Sequence, residues 1–423
     1  MTTLVLASFG PYLTAGVRTE QAAVYAAAVV ALTLVAPLLR PSPHVSALLL
    51  IWFGYAVIAV AGAVLVPSNG TRWTRGSVLA GVDNLVLPLG VIVVVLALLA
   101  RGADPRELVR RAAATIVAMS VVNTLAARAQ KSGADWSAFW SPDERSTAIN
   151  AVENGRYTGL INQPAEAGLI YGIALLSVLY LFRNRPKWML VFVALTIYGG
   201  TMSVSKVFLL IALPIAAWLT FRMAGRRVER VALVFFGAAV FYLLLKSGSL
   251  PEFAGANQLR ALLPGVGQYS LVERLSAGRY GENAALLPLA TSVLREHPVV
   301  GFGAGGLSAS FDNGWVEALV VAGIVGVFCY TLVLLIVVRS WQAMRPSHER
   351  TFLGAFVVLL AGASAGIPAL TANRAAPLVW MLLTLLMMSD PHGRTLAVPQ
   401  AALGRDTGRE PRPETAAGFD PRT

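Results

Sequence analysis

Apolar runs of about 20 residues, the length a helix needs to cross a bilayer, recur along almost the whole chain, and they restrict its fold more than any other feature. They lie near residues 20–39, 44–66, 77–100, 109–127, 158–181, 187–203, 204–221, 230–246, 314–338, 351–370 and 374–389. An earlier run, 4–17, is shorter and contains Gly10 and Pro11. It lacks a positive n-region and an A-x-A cleavage site, so it reads as a short first span and not as a signal peptide. Charged residues make up only 13% of the 423 residues and hydrophobic ones 56%. A soluble domain carries about 25% charge, so this chain cannot cover its own surface with polar groups, and its solvent is a bilayer.

The net charge of +12 comes from 34 Lys and Arg against 22 Asp and Glu. A nucleic-acid binder gathers such an excess on one soluble face; here the charges punctuate apolar runs, so no nucleic-acid partner is expected. Arg40; Arg101, Arg106, Arg110 and Arg111; Arg183, Arg185 and Lys187; Arg222, Arg226, Arg227 and Arg230; and Arg339, Arg345 and Arg350 fall in alternate short loops. The positive-inside rule makes those loops cytoplasmic and puts both termini inside. The expected fold is an all-α polytopic membrane protein with about 12 transmembrane helices and a large outside loop carrying short helices. Residues 1–390 read as one membrane-embedded domain and 391–423 as a disordered cytoplasmic tail rich in Gly, Pro, Arg and Thr.

Two outside loops are long, 128–157 and 247–311, and the second contains an amphipathic stretch, 282–296, suited to the membrane surface. The single cysteine, Cys329, lies in an apolar run, and His44, His297, His348 and His392 are scattered. Disulfide frameworks, thiolate metal sites and His-rich clusters are thereby excluded. Lysine is scarce beside arginine, which points to a GC-rich bacterial genome.

Positive charge on the outer side runs against the topology bias. The residues are Arg72, Arg75, Arg156, Lys206, Arg260, Arg274, Arg279, Arg295 and Arg374. Individually they suit snorkelling anchors; as a set they suit a basic, outward-opening cavity for an anion such as pyrophosphate, which arginine binds bidentately. Three segments sharpen that reading. Gly155-Arg156-Tyr157-Thr158-Gly159 leads through Asn162-Gln163-Pro164 to Glu166, a charged, proline-broken helix start that is expensive in lipid. Ser203-Val204-Ser205-Lys206 is a polar hinge between apolar runs. Glu273-Arg274 and Gly278-Arg279 are followed by His297-Pro298, Gly301-x-Gly303 and Asp312-Asn313, and then by Gly323 and Gly326. The last pair, spaced i, i+3, is expected on one helical face where it permits close packing. Residues 301–306 match G-x-G-x-x-G, but no βαβ unit surrounds them, so no dinucleotide is expected.

At these residues the chain resembles the bacterial O-antigen ligase and O-antigen polymerase superfamily of multi-spanning glycosyltransferases, over roughly residues 150–340. Arg156, Gly159 and Pro164 are similar to the family's Arg-x-x-Gly with a following proline, Ser205-Lys206 to its Ser-Arg hinge, and Gly278-Arg279 to the Gly-Arg of its large loop. His297-Pro298 and Gly301-x-Gly303 are similar to further family elements, and Asn313, Gly323 and Gly326 fit the ligase spacing. Asp312 stands where the ligases carry histidine, a position at which polymerase-type members vary.

The resemblance implies transfer of an oligosaccharide from undecaprenyl pyrophosphate to an acceptor sugar hydroxyl at the outer leaflet of a bacterial plasma membrane, with no metal and no other cofactor. Polymerisation of repeat units is the first expectation and ligation to a lipid or cell-wall acceptor the second. Arg156, Arg279 and Lys206 are expected to clamp the departing pyrophosphate, with Arg274 and Arg72 further out. Asp312 is the first candidate for the base that takes the acceptor's proton, although an Asp before a helix also suits an N-cap; His297 and Glu166 are alternatives, with Asn313 beside them. Two other classes stay open. A transporter or flippase of lipid-linked or anionic solutes would carry polar groups through the full membrane depth, whereas Asp83-Asn84 sit near an outer end. A lipid-phosphate-sugar transferase would need acidic residues in the first outside loop, where Glu20 stands without a partner.

Overall fold

The computed structural model describes residues 1–13, 17–35, 39, 41–66, 78–140, 145–223, 286–306 and 313–390. Among them the secondary structure is helical, apart from one isolated antiparallel bridge between Tyr12 and Arg18. The helices are α1 (Thr2–Ser8), α2 (Thr19–Val35), α3 (Pro43–Leu65), α4 (Val78–Ala100), α5 (Pro105–Lys131), α6 (Arg145–Glu153), α7 (Pro164–Phe182), α8 (Pro186–Met202), α9 (Leu213–Met223), α10 (Leu286–Glu296), α11 (Gly314–Ala343), α12 (His348–Ala363) and α13 (Ala375–Met387).

The expectation of about 12 spans is not met. Five of the described helices are long and apolar enough to cross a membrane: α3, α4, α5, α7 and α11. The other apolar runs fold into shorter pieces. Residues 4–17 yield only the seven residues of α1, which stops before Gly10 and Pro11. The run 351–370 is cut at Ala363, ahead of Gly366 and Pro368, and 374–389 holds the 13 residues of α13. At 1.5 Å per residue the 17 residues of α8 reach about 25 Å, short of a hydrocarbon core about 30 Å thick. The run 230–246, most of the loop 247–311 and the tail 391–423 lie outside the described residues. An apolar run reports the solvent of its side chains, not the continuity of its backbone. A chain buried among its own helices can turn where lipid would forbid it.

The core is built around α13, every residue of which is buried. Its Trp380 packs on Trp52 of α3 with ring centroids 4.6 Å apart. The Trp52 indole donates to the Leu85 carbonyl at 2.8 Å, three residues before Pro88 opens the ladder of α4. The outer faces are apolar as well: Leu50, Val64, Leu65, Leu79 and Leu190 stand exposed. An all-helical body with an apolar exterior is a membrane-associated protein.

α11 is broken. Ala322 (φ −142°, ψ 26°) and Gly323 (φ 61°, ψ −153°) leave helical geometry in the middle of an apolar segment. The ladder bonds lost there are replaced by the segment that follows α10. The Ile324 amide donates to Pro298 O at 2.8 Å, and the Phe302 amide to Val320 O at 2.7 Å. That segment also wedges against α3, where a Cβ on Gly303 (φ 74°) would lie 2.0 Å from the Ala63 nitrogen. Gly323 and Gly326 therefore do not share one regular helical face. Gly323 makes the break, and Gly326 fits closely beneath Ala318 O of its own helix, 2.2 Å from where a Cβ would stand.

A Cβ on Gly323 would stand 2.4 Å from the Val299 carbonyl, in a backbone region that L-residues avoid. Gly323→Ala is expected to destabilise the protein by about 1–3 kcal/mol, read as a lower midpoint in detergent thermal unfolding, whereas Gly54→Ala, inside α3 with nothing within 4 Å, is expected to hold or slightly raise the midpoint.

Candidate functional site

The hinge foreseen at residues 203–206 is a tight turn between α8 and a π-helical turn, Val207–Ala212. Val204 takes φ 50°, a left-handed conformation that costs a β-branched residue about 1–2 kcal/mol. Two contacts hold the turn. The Tyr157 amide donates to Met202 O at 2.9 Å. The Arg156 guanidinium donates to Ser203 O at 3.5 Å and Val204 O at 3.4 Å. Two of the expected clamp residues, Arg156 and Lys206, thus belong to neighbouring segments although 50 positions separate them. Ser205 is buried beside Gly168, and its hydroxyl has no hydrogen-bond partner among the described residues.

Arg156 is held in place by a cradle on α5. The Asn123 amide donates to Thr158 O and to the Tyr171 hydroxyl, both at 3.1 Å, and its carbonyl accepts from Leu160 N at 2.8 Å. Gln130 accepts from Gly159 N at 2.9 Å, and the Trp140 indole donates to Gly159 O at 3.2 Å. A buried loop is admissible only when its backbone groups are paired, and here side chains do the pairing. Neither Asn123 nor Gln130 stood out in the sequence; two polar side chains seven apart near the end of an apolar run were the available signal.

The other expected site residues divide. Asp312, Arg279, Arg274 and Arg72 lie outside the described residues. Asn313 is the N-cap of α11, its side-chain oxygen accepting from Trp315 N at 2.9 Å and Val316 N at 3.1 Å, so the capping expected of Asp312 is done by its neighbour. His297 stands at the turn after α10, its ring edge-on to Phe302 with centroids 5.4 Å apart. Glu166 is buried in the first turn of α7, where one oxygen accepts from Arg374 N at 2.5 Å and Ala375 N at 3.1 Å. It caps α13 instead of facing an opening. Among the described residues no three His, Cys, Asp or Glu side chains gather to hold a metal ion.

A second polar centre lies where α2, α4, α7 and α13 begin. Arg18, 4% exposed, donates to Asp83 at 2.8 Å and Asn84 at 3.1 Å, and its Nε stands 3.5 Å from Glu20. Glu20, which has no second carboxylate in the first outside loop, thus stands beside Arg18, two residues before it in the sequence. Gln21 and the Tyr25 hydroxyl also donate to Asp83. Arg374, fully buried, donates to Phe139 O and lies over the Tyr12 ring at 5.3 Å. Burial pushes the Tyr12 phenol up to about 12 against the pull of Arg374 and Arg18, so it stays neutral. Glu317, a buried carboxylate of α11, accepts from the Thr371 hydroxyl. Charges inside apolar runs are the sequence signal for all of these.

No protein-family model matches the chain, and no curated protein matches it.

Asn123→Ala would leave the buried Leu160 amide unpaired and take from the Thr158 carbonyl its side-chain donor, with the Ile161 amide at 3.4 Å remaining to it. About 1–3 kcal/mol of destabilisation is expected for the group left unpaired, measurable by thermal unfolding. Retention of the wild-type midpoint would mean that the cradle does not hold the loop.

Proposed function

We propose that the protein is a membrane glycosyltransferase that moves an oligosaccharide from undecaprenyl pyrophosphate to an acceptor sugar hydroxyl at the outer leaflet, polymerising repeat units. The acceptor oxygen attacks the anomeric carbon, the bond from that carbon to the diphosphate breaks, and the diphosphate leaves with the electron pair. The hydroxyl proton passes to a base, the role assigned to Asp312. Charge gathers on the diphosphate as it departs, and fixed cations aimed there lower the barrier without reorganising. Arg156, Arg279 and Lys206 are assigned to it, with Arg274 and Arg72 outside them.

One observation carries this reading above the resemblance itself. The Arg156 guanidinium contacts the carbonyls of Ser203 and Val204, so the Arg-x-x-Gly segment and the Ser-Lys hinge, both singled out by the resemblance, form one preorganised unit. Orientation belongs to the same proposal: the basic ends of α4, α5, α7 and α12 face the cytoplasm, together with both termini. The Tyr180 hydroxyl near the end of α7 donates to Glu349 at the start of α12 at 3.0 Å, which supports a common side for those ends. The buried charges around Arg18 and Arg374 favour a second reading, transport of a lipid-linked or anionic solute, because ionisable groups inside a bundle also mark transport paths.

Purified protein in lipid nanodiscs, incubated with an undecaprenyl-diphosphate oligosaccharide, is expected to give a ladder of longer glycans. A single shifted band that requires an added acceptor would mean ligation, and no transfer, with solute movement in vesicles, would mean transport. Arg156→Ala is expected to lower kcat/KM about 100-fold or more, as for loss of one oriented donor. Unchanged kinetics would remove Arg156 from the clamp.

A further inference from the structure

The centre at the start of α2, α4, α7 and α13 contains two guanidiniums, Arg18 and Arg374, and three carboxylates, Glu20, Asp83 and Glu166. Among the described residues one negative charge is left over, in surroundings where uncompensated charge is prohibitive. The partners show which carboxyl carries the excess. Asp83 accepts from Arg18, Gln21 and Tyr25, three donors that suit an anion. Glu166 accepts two backbone amides on one oxygen at the positive end of α13, with Arg374 beside it; its second oxygen is buried without a hydrogen-bond partner among the described residues, so it is held less fully than Asp83 and more fully than Glu20. Glu20 is fully buried; neither of its oxygens has a hydrogen-bond partner among the described residues, and its nearest cation, at 3.5 Å, is already paired with Asp83. The groups that act on Glu20 from the elements around it are Arg18, Arg374, Glu166 and the neutral Tyr12. None of them supplies the missing positive charge.

We propose that Glu20 is a proton-binding site: a carboxylic acid that stays neutral inside the folded protein at neutral pH and balances the charge of this centre. The ligand is a single proton, exchanged with water as the acid dissociates to carboxylate and hydronium. Arg18 Nη1 and Arg374 Nε and Nη1, buried and without hydrogen-bond partners among the described residues, are donors into the same centre. Together with the Glu20 oxygens they suit internal water that carries the proton in and out. The proposal does not depend on glycosyl transfer.

Infrared titration of the protein in nanodiscs tests it, reading the carbonyl stretch of protonated carboxyl groups. Of the two other buried glutamates, Glu317 is removed from consideration by working in Glu317→Gln, and a band that belonged to Glu166 would persist in Glu20→Gln. A protonated-carboxyl band at neutral pH that disappears in Glu20→Gln is the expected result, with the thermal midpoint little changed because a neutral amide replaces a neutral acid. No such band at neutral pH, or a band that persists in Glu20→Gln, overturns the assignment. If Glu20→Gln does not fold, carbon-13 glutamate labelling of Glu20→Asp decides. The band then loses its isotope shift because the acid is now an unlabelled aspartate, and a band that keeps the shift overturns the proposal.

Discussion

A backbone amide or carbonyl without a partner in hydrocarbon costs several kcal/mol, and that cost governs how this protein is put together. α11 could cross the bilayer as one plain helix, yet it breaks at Ala322 and Gly323. The break is admissible because residues 297–306 supply backbone partners at Pro298 O and Phe302 N. To do so the segment must enter the bundle, and it enters where Gly62, Ala63 and Gly81 leave room on α3 and α4. Residues 301–305 are thus buried among the helices, while Pro298 and Val299 at the entry of the segment stay exposed.

The same cost sorts the charges. Arg101, Arg106, Arg110 and Arg111, at the facing ends of α4 and α5, are exposed. Arg18 and Arg374 are buried, and each is surrounded by acceptors: Asp83, Asn84 and Glu20 around the first, Phe139 O and the Tyr12 ring around the second. Breaking such a buried set by removing one member leaves a charge uncompensated, about 3–5 kcal/mol against folding. Arg156 is half-buried, and its guanidinium donates to two carbonyls at about the limit of hydrogen-bond length.

The membrane character of the chain was legible because composition and run length report it directly. The number of spans was not. Gly10-Pro11 and Gly366-Ile367-Pro368 were visible as helix breakers, but whether a run continues past a breaker depends on partners supplied by distant segments. The hinge at 203–206 was readable from four consecutive residues, three of them polar. Its contact with Arg156 was not, since nothing local encodes a meeting across 47 and 48 positions. Glu20 is a lone carboxylate in its own stretch of sequence, and the carboxylates it shares a centre with, Asp83 and Glu166, arrive from other helices. Asn123 was invisible because a polar residue on a helix face carries no mark of the loop it will hold.

The hinge and the buried charge centre are joined by one stretch of chain. Ten residues separate Arg156 from Glu166; the first leans on the turn at Val204, and the second caps α13 through Arg374 and Ala375. The stretch between them is clamped by Asn123, Gln130 and Trp140, so it cannot absorb displacement by slack. A ligand that drew the Arg156 guanidinium away from Ser203 and Val204 would release a strained backbone on one side. On the other it would load the start of α7, where Glu166 holds the end of the most deeply buried helix. Coupling of this kind needs no long path, because a rigid segment fixed at both ends passes force between the elements that fix it.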